Sequence, residues 1–227
     1  MVQAIVVSPN QEDRDHLGFV LRQGGLGVIS IADLAQVKSV LQSQTISLVL
    51  IALDDGAKLR ELVENWRAIS QVLIVAVVEP LSEQAHCDLL DIGVDLVVER
   101  PYSPRLLRRY IRVLLQRVQS LPVSVLPGIE IDNVYLDPAS RTITIDQHPP
   151  QRLTELEFRL LYVLMTNSGQ VIPTDVIVER VWGYSGEGNR DLVRGLVRRL
   201  RRKIEPIQGE TRYIHTLPGV GYRFFPE

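Results

Sequence analysis

Five short apolar runs recur through the first half of the chain: AIVV from Ala4, GVISI from Gly27, LVLIAL from Leu48, VLIVAVV from Val72 and LVV from Leu96. Runs with almost no polar alternation suit strands buried on both faces. The stretches between them, at 12–22, 34–42, 59–67, 82–91 and 104–118, have helical apolar spacing. Strand and helix in strict alternation impose parallel pairing, with helices covering both faces of the sheet.

Residues 1–118 are therefore expected to form one doubly wound α/β domain of flavodoxin-like type, with a five-stranded parallel sheet. Its site would lie outside the carboxyl ends of the strands, in the loops after AIVV, LVLIAL, VLIVAVV and LVV. The stretch QSLPVSVLPG has two prolines, two serines and no periodicity, and 119–127 reads as a linker. Residues 128–227 have a different pattern. GIEIDNVYLD and RTITID alternate around the turn signal DPASR, as in an antiparallel hairpin. LTELEFRLLYVLMTN opens on a capping box, Thr154 with Glu157, and continues as a helix. PTDVIVERVWG and the segment 189–204 are two more helices, and YIHTLPGVGYRFF is two strands joined by a glycine-rich turn. Three helices followed by a hairpin is the order of a winged helix-turn-helix, an α+β domain.

No apolar run is long enough to span a bilayer, and the chain begins in a strand without a basic leader, so a cytoplasmic protein with no membrane association is expected. A lone cysteine, Cys87, makes neither an internal disulfide nor a cysteine metal site. A net charge of −2 is uninformative for the whole chain but not for its parts. From Arg190 to Lys203 there are seven cations and one acid. At about 100° per residue, Arg190, Arg201, Arg194, Arg198 and Arg202 fall on one arc about 120° wide. Leu192, Val193, Leu196, Val197, Leu200 and Ile204 lie on the other side. A merely solvated helix face would interleave both signs. This pattern suits an outward cationic face on a lattice of phosphates. Arg194, Arg198 and Arg201 are expected in a DNA groove, and Arg190, Arg199 and Arg202 on phosphates. Gly195 beside the arc serves either close backbone approach or packing. The wing turn PGVGY lies between strands and is not a phosphate loop.

LTELEFRLLYVL, VWG, LVRRLRRKIEP and YIHTLPGVGYRF together resemble the effector domain of OmpR/PhoB-type response regulators, and the first half resembles their receiver. The resemblance spans essentially the whole chain. It implies a four-stranded platform ahead of the three helices, tandem binding to direct-repeat double-stranded DNA, and an RNA polymerase contact through 183–188. The family's wing often carries an arginine for the minor groove, and here Pro218 stands at that place, leaving Thr216 and Arg223 as backbone contacts.

The receiver departs further from the family pattern. Receivers phosphorylate an aspartate on the third strand, with a metal-binding acid pair after the first, a hydroxyl after the fourth and a lysine after the fifth. The matching positions here are Ala52 for the acceptor, Ser8 and Pro9 for the acid pair, Val77 for the hydroxyl and Arg100 for the lysine. An alanine methyl accepts no phosphoryl group, and serine and proline give a hard cation little oxygen. Asp54, Asp13 and Glu12 lie near enough in sequence to suggest a displaced site, but no hydroxyl or basic partner is in register. The aromatic switch position is Val97. At the positions of the family's dimer face, His86 stands opposite Leu106 and Leu96 opposite Tyr110, while Asp95 and Arg117 keep the usual signs. Leu96, Leu106 and Tyr110 in place of ion pairs read either as an apolar interface that assembles without a trigger or as a surface that no longer dimerises.

The expected function is a non-enzymatic, sequence-specific transcriptional regulator with a degenerate receiver, acting as a homodimer without aspartyl phosphorylation and without metal or cofactor. Two rivals stand beside it. A flavodoxin-like nucleotide or flavin protein would need phosphate-cradling glycines, which SPNQEDRD lacks. An adaptor, sensing a small ligand or protein through its receiver and contacting protein through its winged helix, would have no use for the arginine arc.

Overall fold

A computed structural model describes residues 2–120, 126–183, 190–205 and 212–225, with side chains from 117 to 120 left undescribed. Close contacts divide the chain into two units, Met1–Leu115 and Gln116–Glu227. Most of the expected linker, 121–125, and most of the segment expected to meet RNA polymerase, 184–188, lie outside the described residues.

In the first unit β1 (Gln3–Val7), β2 (Gly27–Ile31), β3 (Leu48–Ala52), β4 (Leu73–Val78) and β5 (Leu96–Glu99) form a parallel sheet in the order β2-β1-β3-β4-β5. The connecting helices are α1 (Gln11–Gln23), α2 (Gln36–Ser43), α3 (Gly56–Arg67), α4 (Glu83–Ile92) and α5 (Pro104–Ser120). Every residue of β3 and β4 is buried, which is why neither run alternates. Side-chain caps set three of the helix starts. Asn10 accepts from the Glu12 N–H at 2.8 Å, Asp55 from the Lys58 N–H at 3.0 Å, and Ser82 from the Ala85 N–H at 3.2 Å. Of the two acids that follow β3, Asp55 is thus a helix cap.

The structure corrects two residues of the expected dimer face. Asp95 is 1% exposed, and its Oδ2 accepts from the Arg67 guanidinium and, at 3.0 Å, from the Ile74 N–H. Arg67 also donates to the Val72 and Gly93 carbonyls. A carboxylate buried this way ties the end of α3 to the sheet and is not available to another subunit. Leu96 is likewise core, at 5% exposure, because it enters β5 on the buried face. Leu106 is exposed and Tyr110 half-buried, and Val113 continues their stripe along α5.

The second unit opens with an antiparallel sheet, β6 (Ile129–Ile131), β7 (Val134–Asp137), β8 (Thr142–Ile145) and β9 (Gln151–Arg152), in sequential order. Three helices follow, α6 (Glu155–Thr166), α7 (Thr174–Trp182) and α8 (Arg190–Ile204). Thr154 and Glu157 form the capping box that the sequence announces. The wing is β11 (Ile214–Leu217) and β12 (Gly221–Phe224), joined by β10 (Ile172–Pro173) in the order β10-β12-β11. The two-residue strands β9 and β10 are too short to leave a periodic signal. Gly221 has a specific reason to be glycine: a Cβ there would stand 2.0 Å from the Ile172 carbonyl oxygen.

Candidate nucleic-acid interface and the altered receiver pocket

Helix α8 buries Leu192, Val193, Leu196, Val197, Leu200 and Ile204, with Gly195 buried among them, against its own domain. Arg190, Arg194, Arg198 and Arg202 are exposed, each four residues after the last. Successive members of such a row sit one turn apart, so the four guanidinium groups form a ladder of charge along one side of the helix. Asp191, the only acid among them, sits 3.3 Å from Arg194.

The other three cations of the run face inward or sideways. Arg199, expected on phosphate, is 6% exposed and lies near the buried Glu157. Lys203 donates to Glu157 Oε2 at 2.6 Å and to the Arg152 carbonyl at 3.0 Å, bracing α8 against α6 and β9. Burial pushes the Glu157 carboxyl up, but the Lys203 and Arg199 charges, the Lys203 hydrogen bond and the Thr154 N–H outweigh it and hold the group below the ordinary carboxylate value. Arg201, expected in the groove, is half-buried and spends its donors on β11, reaching the Ile214 carbonyl at 2.6 Å and Thr216 Oγ1 at 2.9 Å. These corrections have one physical source. Angular position tells which way a side chain leaves the helix, but not whether a carboxylate or carbonyl from a distant segment waits there.

In the wing, Thr216 is exposed and pairs across the hairpin with Tyr222. Sequence reasoning passed over Tyr222. Burial raises its phenol pKa, while the Arg201 and Arg194 charges that oppose the rise place it beside the arginines of α8. Its neighbour Arg223 points to the opposite face of the hairpin and packs over the Phe225 ring at 5.5 Å. The structure does not bring Arg223 to the arginine ladder.

The strand ends of the first unit hold a second constellation. Ala52, at the end of β3, pairs in register with Val77 of β4, and both are buried. Ser8 is 1% exposed; its hydroxyl donates to Asp13 at 3.4 Å and accepts from the Asn10 N–H at 3.1 Å. Arg14 occupies the carbonyls of Ser8 and Pro9 at 2.7 and 2.9 Å. Arg100, just after β5, donates to Asp13 at 2.7 Å and Asp54 at 3.1 Å, and lies 3.6 Å from Glu79. Burial works against this guanidinium's charge, but the hydrogen bond and charge of Asp13, with the charges of Asp54 and Glu79, prevail and raise its pKa. One side chain thus gathers acids from the first turn of α1 and from the loops after β3 and β4. Glu12, at the exposed start of α1, is not part of the cluster.

Residues 148–224 match a family model described as "Transcriptional regulatory protein, C terminal". Across both units, the chain is 31% identical over 223 residues to the DNA-binding response regulator MtrA of Mycolicibacterium smegmatis, covering 98% of this chain and 96% of MtrA. The chain belongs to the OmpR/PhoB family of response regulators. Among other relatives of this regulator are KdpE of Escherichia coli, 29% identical over 230 residues and 99% of each chain, and PhoB of the same organism, 26% identical over 224 residues with 97% and 96% covered. The solved structure of a cysteine-to-serine mutant of RitR has the same fold, with a TM-score of 0.80, 19% identity and 99% coverage of both chains. Helix α8 and the β11–β12 wing lie within the stretch that the family model matches, 148–224.

Proposed function

We propose that this regulator binds direct-repeat double-stranded DNA through the Arg190, Arg194, Arg198 and Arg202 ladder, and that aspartyl phosphorylation plays no part in its control. The observation that carries the second half is the Arg100 cluster. The Ala52 side chain has no oxygen for a phosphoryl group, and the nearby carboxylates of Asp13 and Asp54 are already hydrogen-bonded to a guanidinium. The carbonyls of Ser8 and Pro9 are held by Arg14 in the same way. Val77 offers no donor to a phosphoryl oxygen.

Control then comes from abundance, a protein partner or a ligand of the receiver. The protein works in the cytoplasm as a homodimer, assembled through the stripe of Leu106, Tyr110 and Val113 on α5. Arg117 adjoins this stripe in sequence, with its side chain outside the described residues. His86 lies 3.2 Å from Glu99 and leaves the stripe apolar. Two copies on repeated half-sites supply the contact area that one such module lacks. The RNA polymerase contact is assigned to 183–188 on the family pattern alone.

The test is incubation of the full chain with a small phosphodonor and magnesium, followed by intact-mass and DNA-affinity measurements. No gain in mass and unchanged affinity are expected. A mass gain abolished by Asp54→Asn would sink phosphorylation independence. Genome-wide mapping with wild type and Arg198→Ala tests the DNA reading, and loss of all discrete sites in the variant is expected.

A further inference from the structure

Strand β11 forms one edge of the wing sheet, so one row of its backbone groups faces no other strand. That row is covered by α8. Glu205, just past the helix, accepts from the Arg212, Tyr213 and Ile214 N–H groups at 2.8, 3.2 and 3.1 Å. Arg201, one turn earlier, supplies the matching donors. Its Nε and Nη2 reach the Ile214 carbonyl at 3.2 and 2.6 Å, and Nη2 also reaches Thr216 Oγ1 at 2.9 Å. Donor and acceptor side chains four residues apart, Arg201 on α8 and Glu205 just past it, therefore take the place of a fourth strand. Ile214 is engaged through both its N–H and its carbonyl.

We propose that Arg201 is a positioning residue that locks the recognition helix and the wing into one unit, so that the wing tip at Pro218 to Val220 meets DNA in a register set by α8, and that Arg201 contacts neither base nor phosphate. The geometry separates it from the ladder. Arg201 is half-buried with its donors directed at β11, whereas Arg190, Arg194, Arg198 and Arg202 are exposed. Burial lowers the pKa of the Arg201 guanidinium, against the opposing pull of Glu205 and Tyr222, as suits a group turned toward protein. The lever is short. From Thr216 the strand runs to Leu217, whose carbonyl accepts from the Val220 N–H at 3.0 Å to close the wing turn. A tilt of β11 against α8 would carry Val220, 53% exposed at the tip, with it.

This inference rests on the DNA-binding reading, whose failure would show separately as an inability of the wild type to select any site from random-sequence DNA. With a selected site in hand, full-length wild type, Arg201→Met and Arg201→Lys are compared by hydroxyl-radical footprinting, by repeat selection and by affinity against salt. Both variants are expected to bind about tenfold more weakly and to keep the selected base preference. Both are also expected to lose protection only in the DNA flanking the α8 footprint. Lysine keeps the charge but loses the Nε donor to the Ile214 carbonyl and the planar fork that fixes the guanidinium on β11. If Arg201→Met relaxes preference at one base pair, Arg201 reads that base and the proposal fails. It also fails if protection weakens evenly with the salt slope lowered by about one, the mark of a lost phosphate contact. Full protection with Arg201→Lys would show that charge alone suffices, again overturning it. Should Arg201→Met not fold, the Arg201→Lys footprint decides.

Discussion

Arg100 shows how much a single side chain can alter at a strand end. Its partners come from the start of α1 and from two loops, so removing it leaves three carboxylates facing one another without a counter-charge. Arg100→Gln is expected to destabilise the first unit by about 1–2 kcal/mol. That is less than a fully buried pair would cost, because Asp54 and Glu79 remain largely in solvent. A shift in the denaturant midpoint with unchanged slope would register it. At Gly221 the constraint is steric. Gly221→Ala drives a methyl into the Ile172 carbonyl, and a loss of about 2–3 kcal/mol is expected in thermal unfolding of the second unit. Neither constraint could be read locally. Ala52 and Arg100 stood out in the sequence by position, whereas the acids that Arg100 would gather depended on how three strand ends converge.

At the scale of elements, α8 divides its cations between two tasks. Its amphipathic period, and hence its docking face, was legible from leucine and valine spacing alone. The division of the arginines was not, because Glu157 belongs to α6 and Ile214 to β11, and the angular arc holds no record of either. Two substitutions should separate the tasks. Arg190→Ala should lower the salt slope of DNA binding by about one with little effect on melting, whereas Lys203→Met should lower melting and leave the slope unchanged. The buried carboxylate beneath Lys203 also sets an acid limit. Because Glu157 titrates below its ordinary value in the folded state, its contribution is fully present above about pH 4.5 and is lost as the pH falls through the depressed value. The melting temperature of the second unit should drop on acidification below that point, and more gently in Glu157→Gln.

For the molecule as a whole, the overall charge of −2 gives no hint of DNA binding. On the proposed reading, attraction to phosphate comes from local charge such as the α8 ladder, and long-range repulsion from the rest of the chain makes affinity sensitive to ionic strength. The order of strands and helices was legible across both units because each layer rule acts on segments of ordinary length. The residues expected at a dimer face do not share one environment. Leu106 and Tyr110 remain on the surface, but Asp95 has the partner Arg67, far away in the sequence, and Leu96 is core. Tyr110→Arg is therefore expected to shift the full chain toward monomer in sedimentation, while a phosphodonor leaves the wild-type distribution unchanged.

The same guanidinium limits what a single substitution can do at this pocket. Asp13, Asp54 and Glu79 are bound into the Arg100 cluster, so each has a structural use that needs no phosphoryl transfer. Ala52→Asp would place a carboxylate beside Val77, with no hydroxyl opposite and with the neighbouring acids already engaged, and it should stay unphosphorylated. On the proposed reading, phosphoryl transfer here would require changes at several strand ends at once.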